Sequence, residues 1–153
     1  MFQRPSRTIL APTSILLLTL LCWLAEPFSS EYLAFQRQQI TDYYWWQFVT
    51  ANIVHTNFTH LLLNAMGIAL LWIIHGRYFS VKGYWLTCLA LGLGVTFGIL
   101  IFSPHLNWYS GFSGILHGLF VIGACKDIVA RVALSWTLFI AIRDDSKTLK
   151  PFL

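Results

Sequence analysis

Two short stretches hold the residues with the greatest capacity for chemistry. His55, His60 and Asn64 make one, spaced H-x4-H-x3-N; Gly111-Phe112-Ser113-Gly114 makes the other, with His117 four residues after the serine. A serine hydroxyl becomes an acylating nucleophile when a base removes its proton and fixed donors hold the oxyanion that develops. Gly111 and Gly114 permit a tight backbone entry and leave the Ser113 hydroxyl uncovered. A serine at a helix start also has unpaired backbone N–H groups nearby. His60 and Asn64 are four apart and share one helical face, where both offer side-chain donors. His55 lies five before His60, turned away by roughly 140°, and is expected at or before the helix start.

Each of these residues has a plainer use. A serine between glycines is a common packing contact in membrane helices, and His or Asn side chains hydrogen-bond between helices there. Three histidines suggest a metal, but His55-x4-His60 lacks the i, i+4 pairing of a helical zinc site, so no metal is expected. His117 reaches back toward Ser113 over one helical turn and is the local candidate for a base, with helix packing beside Gly114 and Gly118 as its alternative use.

The elements that must carry these residues are apolar. The chain has 153 residues, 57% hydrophobic and 10% charged, against roughly half and a quarter in soluble domains. One domain is expected over residues 1–153, solvated in part by lipid. Apolar runs predict about five transmembrane spans, at 9–25, 55–74, 83–102, 111–125 and 130–142. Gly94-x-x-x-Gly98 and Gly114-x-x-x-Gly118 offer flat surfaces for close helix packing. Tyr43, Tyr44, Trp45 and Trp46 form an aromatic cluster suited to headgroup depth. The ten Lys and Arg are scattered singly beside apolar runs, which excludes a nucleic-acid footprint. Cys22, Cys88 and Cys125 lie in different runs and predict neither a disulfide framework nor a metal knuckle.

The positive-inside rule orients the spans. With the N-terminus in the cytoplasm, Arg4, Arg7, Arg77, Lys82, Lys126 and Arg131 all lie inside, and the first outer loop carries one Arg against three acids. His55, His60 and Asn64 then share the outer end with Gly111 to Gly114. Two separate stretches thus bring polar side chains to one depth, where unpaired polar groups are costly.

These motifs resemble a known family. Trp45-Trp46 followed by His55-x4-His60-x3-Asn64 is similar to the rhomboid second-span signature, and Tyr109-Ser110-Gly111-Phe112-Ser113-Gly114 resembles the rhomboid nucleophile motif two spans later. The likeness covers about residues 40–125, and Ser113-Gly-Ile-Leu-His117-Gly118 is most similar to the rhombosortase branch. The resemblance implies an all-α, rhomboid-like membrane bundle. It further implies an intramembrane serine endopeptidase without cofactor, in a bacterial cytoplasmic membrane, that cuts membrane-anchored proteins near the outer surface. Its substrates would bear a C-terminal Gly-Gly-type anchor. Ser113 would be the nucleophile, His60 and Asn64 the oxyanion donors, and His55, Gly111 and Gly114 structural residues near the site. Rhomboids take their base from a histidine on a sixth span, whereas no histidine follows His117 here, so the chain is expected to end before that span. The alternative is a relative that binds membrane segments without cleaving them.

Overall fold

The computed structural model describes the backbone of residues 9–148 and the side chains of residues 9–131. Helix α1 spans Leu10–Leu24, and a run of short elements follows: α2 (Phe28–Tyr32), strand β1 (Phe35–Gln36), α3 (Arg37–Thr41), α4 (Gln47–Thr50) and a 3-10 turn at Ala51–Ile53. Two long helices come next, α5 (Phe58–His75) and α6 (Val81–Phe102), then strand β2 (Trp108–Tyr109) and α7 (Ser113–Thr148). The chain divides into two compact units, one ending at Phe120 and the other beginning at Val121. Every residue of the two motifs lies in the first.

Local chemistry sets the helix starts. The Asn57 side chain accepts from the His60 N–H at 2.8 Å and caps α5, while the Ser80 hydroxyl accepts from the Gly83 N–H at 3.0 Å and caps α6. Three stretches are long and apolar enough to cross a membrane: Phe58–Tyr78, Val81–Phe102 and Ser113–Arg131. Helix α1 is apolar but has 15 residues, about 22 Å of rise against a hydrocarbon core of about 30 Å. With these helices the chain is an integral, multi-pass membrane protein.

Packing follows one face of each helix. On α1 the buried positions include Ala11, Ile15, Thr19 and Cys22, and this face meets α5 and α6. On α6 they are Tyr84, Cys88, Gly92 and Thr96, one per turn. The first turns of α7 pack through small residues: a Cβ added at Gly114 would stand 2.7 Å from Val95 Cγ2, and one at Gly118 2.5 Å from Leu91 Cδ2. A Cβ at Gly67 of α5 would stand 2.6 Å from Leu116 Cδ1. The Gly114/Gly118 stripe therefore serves close packing, as expected from spacing. Gly94 and Gly98 have nothing within 4 Å of such a Cβ among the described residues.

The sequence reading requires two corrections. Five spans are not observed: the charged break expected between 111–125 and 130–142 is absent, and Ser113–Thr148 is one continuous helix. Lys126, Asp127 and Arg131 leave the helix intact because its backbone bonds are satisfied internally whatever the side chains carry. Side chains of the expected fifth run lie outside the described residues from 132 on. The fold also contains a two-residue antiparallel ladder, Phe35 opposite Tyr109 and Gln36 opposite Trp108, where only helices were expected.

Candidate functional site

Asn57 starts α5 three residues before His60, which leaves His55 outside the helix in extended chain after the Ala51–Ile53 turn. His55 is fully buried. Its Nδ1 stands 3.2 Å from the Ile53 carbonyl and its Nε2 3.0 Å from Asn64 Nδ2. A carbonyl only accepts and an amide nitrogen only donates, so the proton sits on Nδ1 and Nε2 receives. Burial, then the neighbouring His60, pushes the His55 pKa down to about 4, against a smaller upward pull from the Ile53 carbonyl. His55 is thus a neutral acceptor that orients Asn64. Asn64, itself buried, places its amide nitrogen 3.1 Å from the His60 carbonyl as well, so both amide hydrogens have partners.

The His60 ring packs edge to face on His55, centroids 5.0 Å apart. It also lies directly over the backbone before Ser113. A Cβ at Gly111 would stand 2.5 Å from His60 Cε1 and 2.8 Å from Nε2. Gly111 has φ of +118°, a region open to glycine, and its N–H donates to the Ala51 carbonyl at 3.0 Å. Two reasons therefore require glycine here, one of conformation and one of space. The chain turns at this point, buries Phe112, and enters α7 at Ser113, which is half-buried.

Tyr109 completes the turn, and sequence reasoning assigned it no role. Its hydroxyl donates to the Gly111 carbonyl at 2.9 Å and interacts with the Ser113 side chain and the Gly114 N–H. Burial pushes the phenol up, against the opposing pull of those two donors, so it stays protonated. Ser113 thus stands at a helix N-terminus with Tyr109 on one side, and His60 covers the preceding glycine. His117 lies elsewhere on the same helix: its Nδ1 is 2.7 Å from the Ser113 backbone carbonyl. That ring bonds the helix carrying it.

The segment before the turn is held from outside. Arg37 donates from Nε to the Leu106 carbonyl (3.1 Å) and from Nη1 to that of Leu100 (3.1 Å). Its Nη2 reaches the carbonyls of Ile99 (3.1 Å) and Ser103 (2.9 Å). These close the C-terminus of α6, whose free carbonyls attract a cation. The Arg37 backbone N–H donates to Asn107 O at 3.0 Å, extending the ladder that pairs Phe35 with Tyr109. The only signal of Arg37 in the sequence is its place as the lone cation among three acids in the first outer loop.

No groups of three or more His, Cys, Asp or Glu that could hold a metal occur among the described residues. The arrangement supplies a serine at a helix start, a neighbouring imidazole and a bonded His–Asn pair. Such parts suit acyl transfer.

A family model described as the rhomboid domain matches residues 42–142. A Bacillus subtilis (strain 168) protein named "Putative rhomboid protease YdcA" is 29% identical over 126 residues, which are 78% of this chain and 63% of that protein. The chain therefore spans somewhat less than two thirds of that relative's length.

Proposed function

This chain belongs to the rhomboid domain family, and from that premise we propose that it is an intramembrane serine endopeptidase with Ser113 as nucleophile. One observation carries the reading: the His60 ring and the Ser113 turn meet at Gly111, where a single methyl group would separate them. Attack by Ser113 Oγ on a peptide carbonyl forms a tetrahedral oxyanion beside the first N–H groups of α7. His60 is the first side-chain donor to it, and Asn64 becomes the second once a hydrogen leaves His55 or the His60 carbonyl. The proton taken from Ser113 is then passed to the leaving nitrogen, the amine departs, and water hydrolyses the acyl-enzyme left behind. Proton removal from Ser113 falls to His117, the one histidine of α7, and its ring must first leave the carbonyl it now contacts. His55 is buried, neutral and already bonded, so its role is support.

The same proposal places the site at the outer face of a bacterial cytoplasmic membrane. Its substrates are membrane-anchored proteins, and in the rhombosortase-like reading they carry a C-terminal Gly-Gly-type anchor. Support comes from the wording Ser113-Gly-Ile-Leu-His117-Gly118 and from the distribution of positive charge.

A second reading is favoured by His117 itself. Bonded to its own helix, it leaves Ser113 without a base among the described residues, and the chain then binds membrane segments without cutting them. A fluorophosphonate probe on membranes holding the full chain separates the two. The enzyme reading expects labelling of the natural chain, none in Ser113→Ala, and loss in His117→Ala. No labelling of a folded natural chain leaves the binding reading; labelling that survives His117→Ala removes His117 as the base.

A further inference from the structure

The amide of Asn64 has a side that acylation leaves idle. Its nitrogen donates both hydrogens, one to His55 Nε2 at 3.0 Å and one to the His60 carbonyl at 3.1 Å. Those acceptors fix which way the group faces, so the atom left over is Oδ1, which only accepts. Asn64 is 4% exposed; no described residue donates to this oxygen, and unlike that of Asn52 it is not sealed from solvent. An opening that narrow admits the smallest donor, a water, and turns away a side chain or a peptide backbone.

Position ties this oxygen to the nucleophile. His60, Asn64 and Gly67 stand at i, i+4 and i+7, on one face of α5. The entry to α7 meets that face twice. One turn before Asn64, Gly111 lies against the His60 ring; one turn after it, Leu116 Cδ1 lies 2.6 Å from where a Cβ on Gly67 would stand. Ser113 falls between those two contacts on its segment, as Asn64 does on α5.

We propose that Asn64 Oδ1 holds the water that hydrolyses the acyl-enzyme, a role that rests on the proteolytic reading and adds to it the second half of the cycle. One hydrogen of the water bonds to Oδ1 and stays on the water oxygen throughout, because a carboxamide is too weak a base to take it. The other passes to the group that deprotonated Ser113. The water oxygen attacks the ester carbon, the bond from that carbon to Ser113 Oγ breaks, Oγ regains the proton, and the acid leaves.

Methanol tests this, because it attacks the same ester with one hydrogen to give up and none left for Oδ1. The full chain in detergent micelles is given 4-nitrophenyl butyrate in dilute methanol, and methyl butyrate is measured against butyric acid after subtraction of Ser113→Ala. Asn64→Leu, close in size, should raise the ester-to-acid ratio about fivefold or more, the worth of one hydrogen bond. Asn64→Asp keeps an oxygen acceptor and should stay within about twofold of the natural chain. The ratio does not depend on how much protein is folded or how fast Ser113 is acylated, so lost support for His55 alone leaves it unmoved. Without any variant, the natural chain should favour water over methanol about fivefold more than the uncatalysed ester does. A ratio unmoved in Asn64→Leu, an equal shift in Asn64→Asp, or a natural chain no more selective than buffer overturns the assignment while acylation stands. If the natural chain neither takes the fluorophosphonate nor releases 4-nitrophenol above Ser113→Ala, the proteolytic reading falls and the assignment with it.

Discussion

At Gly111 the demand for a missing side chain is sharpest. Gly111→Ala forces a Cβ to within 2.5 Å of His60 and holds alanine at φ of +118°. The expected cost is about 1–3 kcal/mol of stability and a tenfold or greater fall in fluorophosphonate labelling, checked by thermal unfolding and labelling rate. Tyr109→Phe removes one bond to the Gly111 carbonyl and should cost about 1 kcal/mol, with a smaller fall in labelling. His55 makes a prediction of opposite kind, about pH. Its folded pKa, about 4, lies below the free value of 6.5. The unfolded chain therefore binds more protons between those values, and stability must rise with pH across that window. Unfolding temperature should be level above about pH 6.5, fall as pH drops toward about 4, and flatten below. His55→Gln should lose much of that slope, and an unchanged slope would show that other groups set it.

Elements are joined here by contacts that a single substitution can cut. Arg37 reaches four carbonyls around the end of α6, and Arg37→Met leaves all four without it. A loss of about 2 kcal/mol or more is expected, with slower labelling of Ser113. Arg37→Lys should recover a minor part, since an ammonium is a point charge and does not fan across four acceptors. The helix glycines predict a contrast. Gly114→Ala meets Val95 at 2.7 Å and should destabilise by about 1–3 kcal/mol. Gly94→Ala and Gly98→Ala meet nothing within 4 Å among the described residues and should be neutral, or stabilising by up to about 1 kcal/mol through helix propensity.

On the scale of the whole molecule the open question is orientation. In a background freed of Cys22, Cys88 and Cys125, an impermeant maleimide added to intact cells should label Asn107→Cys. Arg77→Cys should stay unlabelled until the cells are opened. The reverse pattern would overturn the positive-inside reading. Charge alone predicts that His55, His60, Asn64 and Ser113 share one depth, and the labelling experiment tests it. What the structure shows of that expectation is the meeting of His60 with the Ser113 turn at Gly111. The four-carbonyl grip of Arg37 and the Tyr109 bond to Gly111 were illegible because every residue carries a backbone carbonyl, so no pattern of side chains marks those acceptors. The break expected near Lys126 failed for a related reason: charge on a helix surface does not interrupt bonds inside the backbone.

The Arg37 clamp also fixes an order of events during synthesis. Its guanidinium is made 62 residues before the first of its acceptors, Ile99, and 69 before the last, Leu106. At about 5–20 residues per second, a ribosome takes roughly 3–14 s to cover that distance. For that interval the newborn loop has a charged side chain and nothing to hold. The turn bearing Ser113 is organised only after the stretch from α6 to β2, made just before it, has reached the waiting loop, so the nascent chain reaches its reactive geometry late.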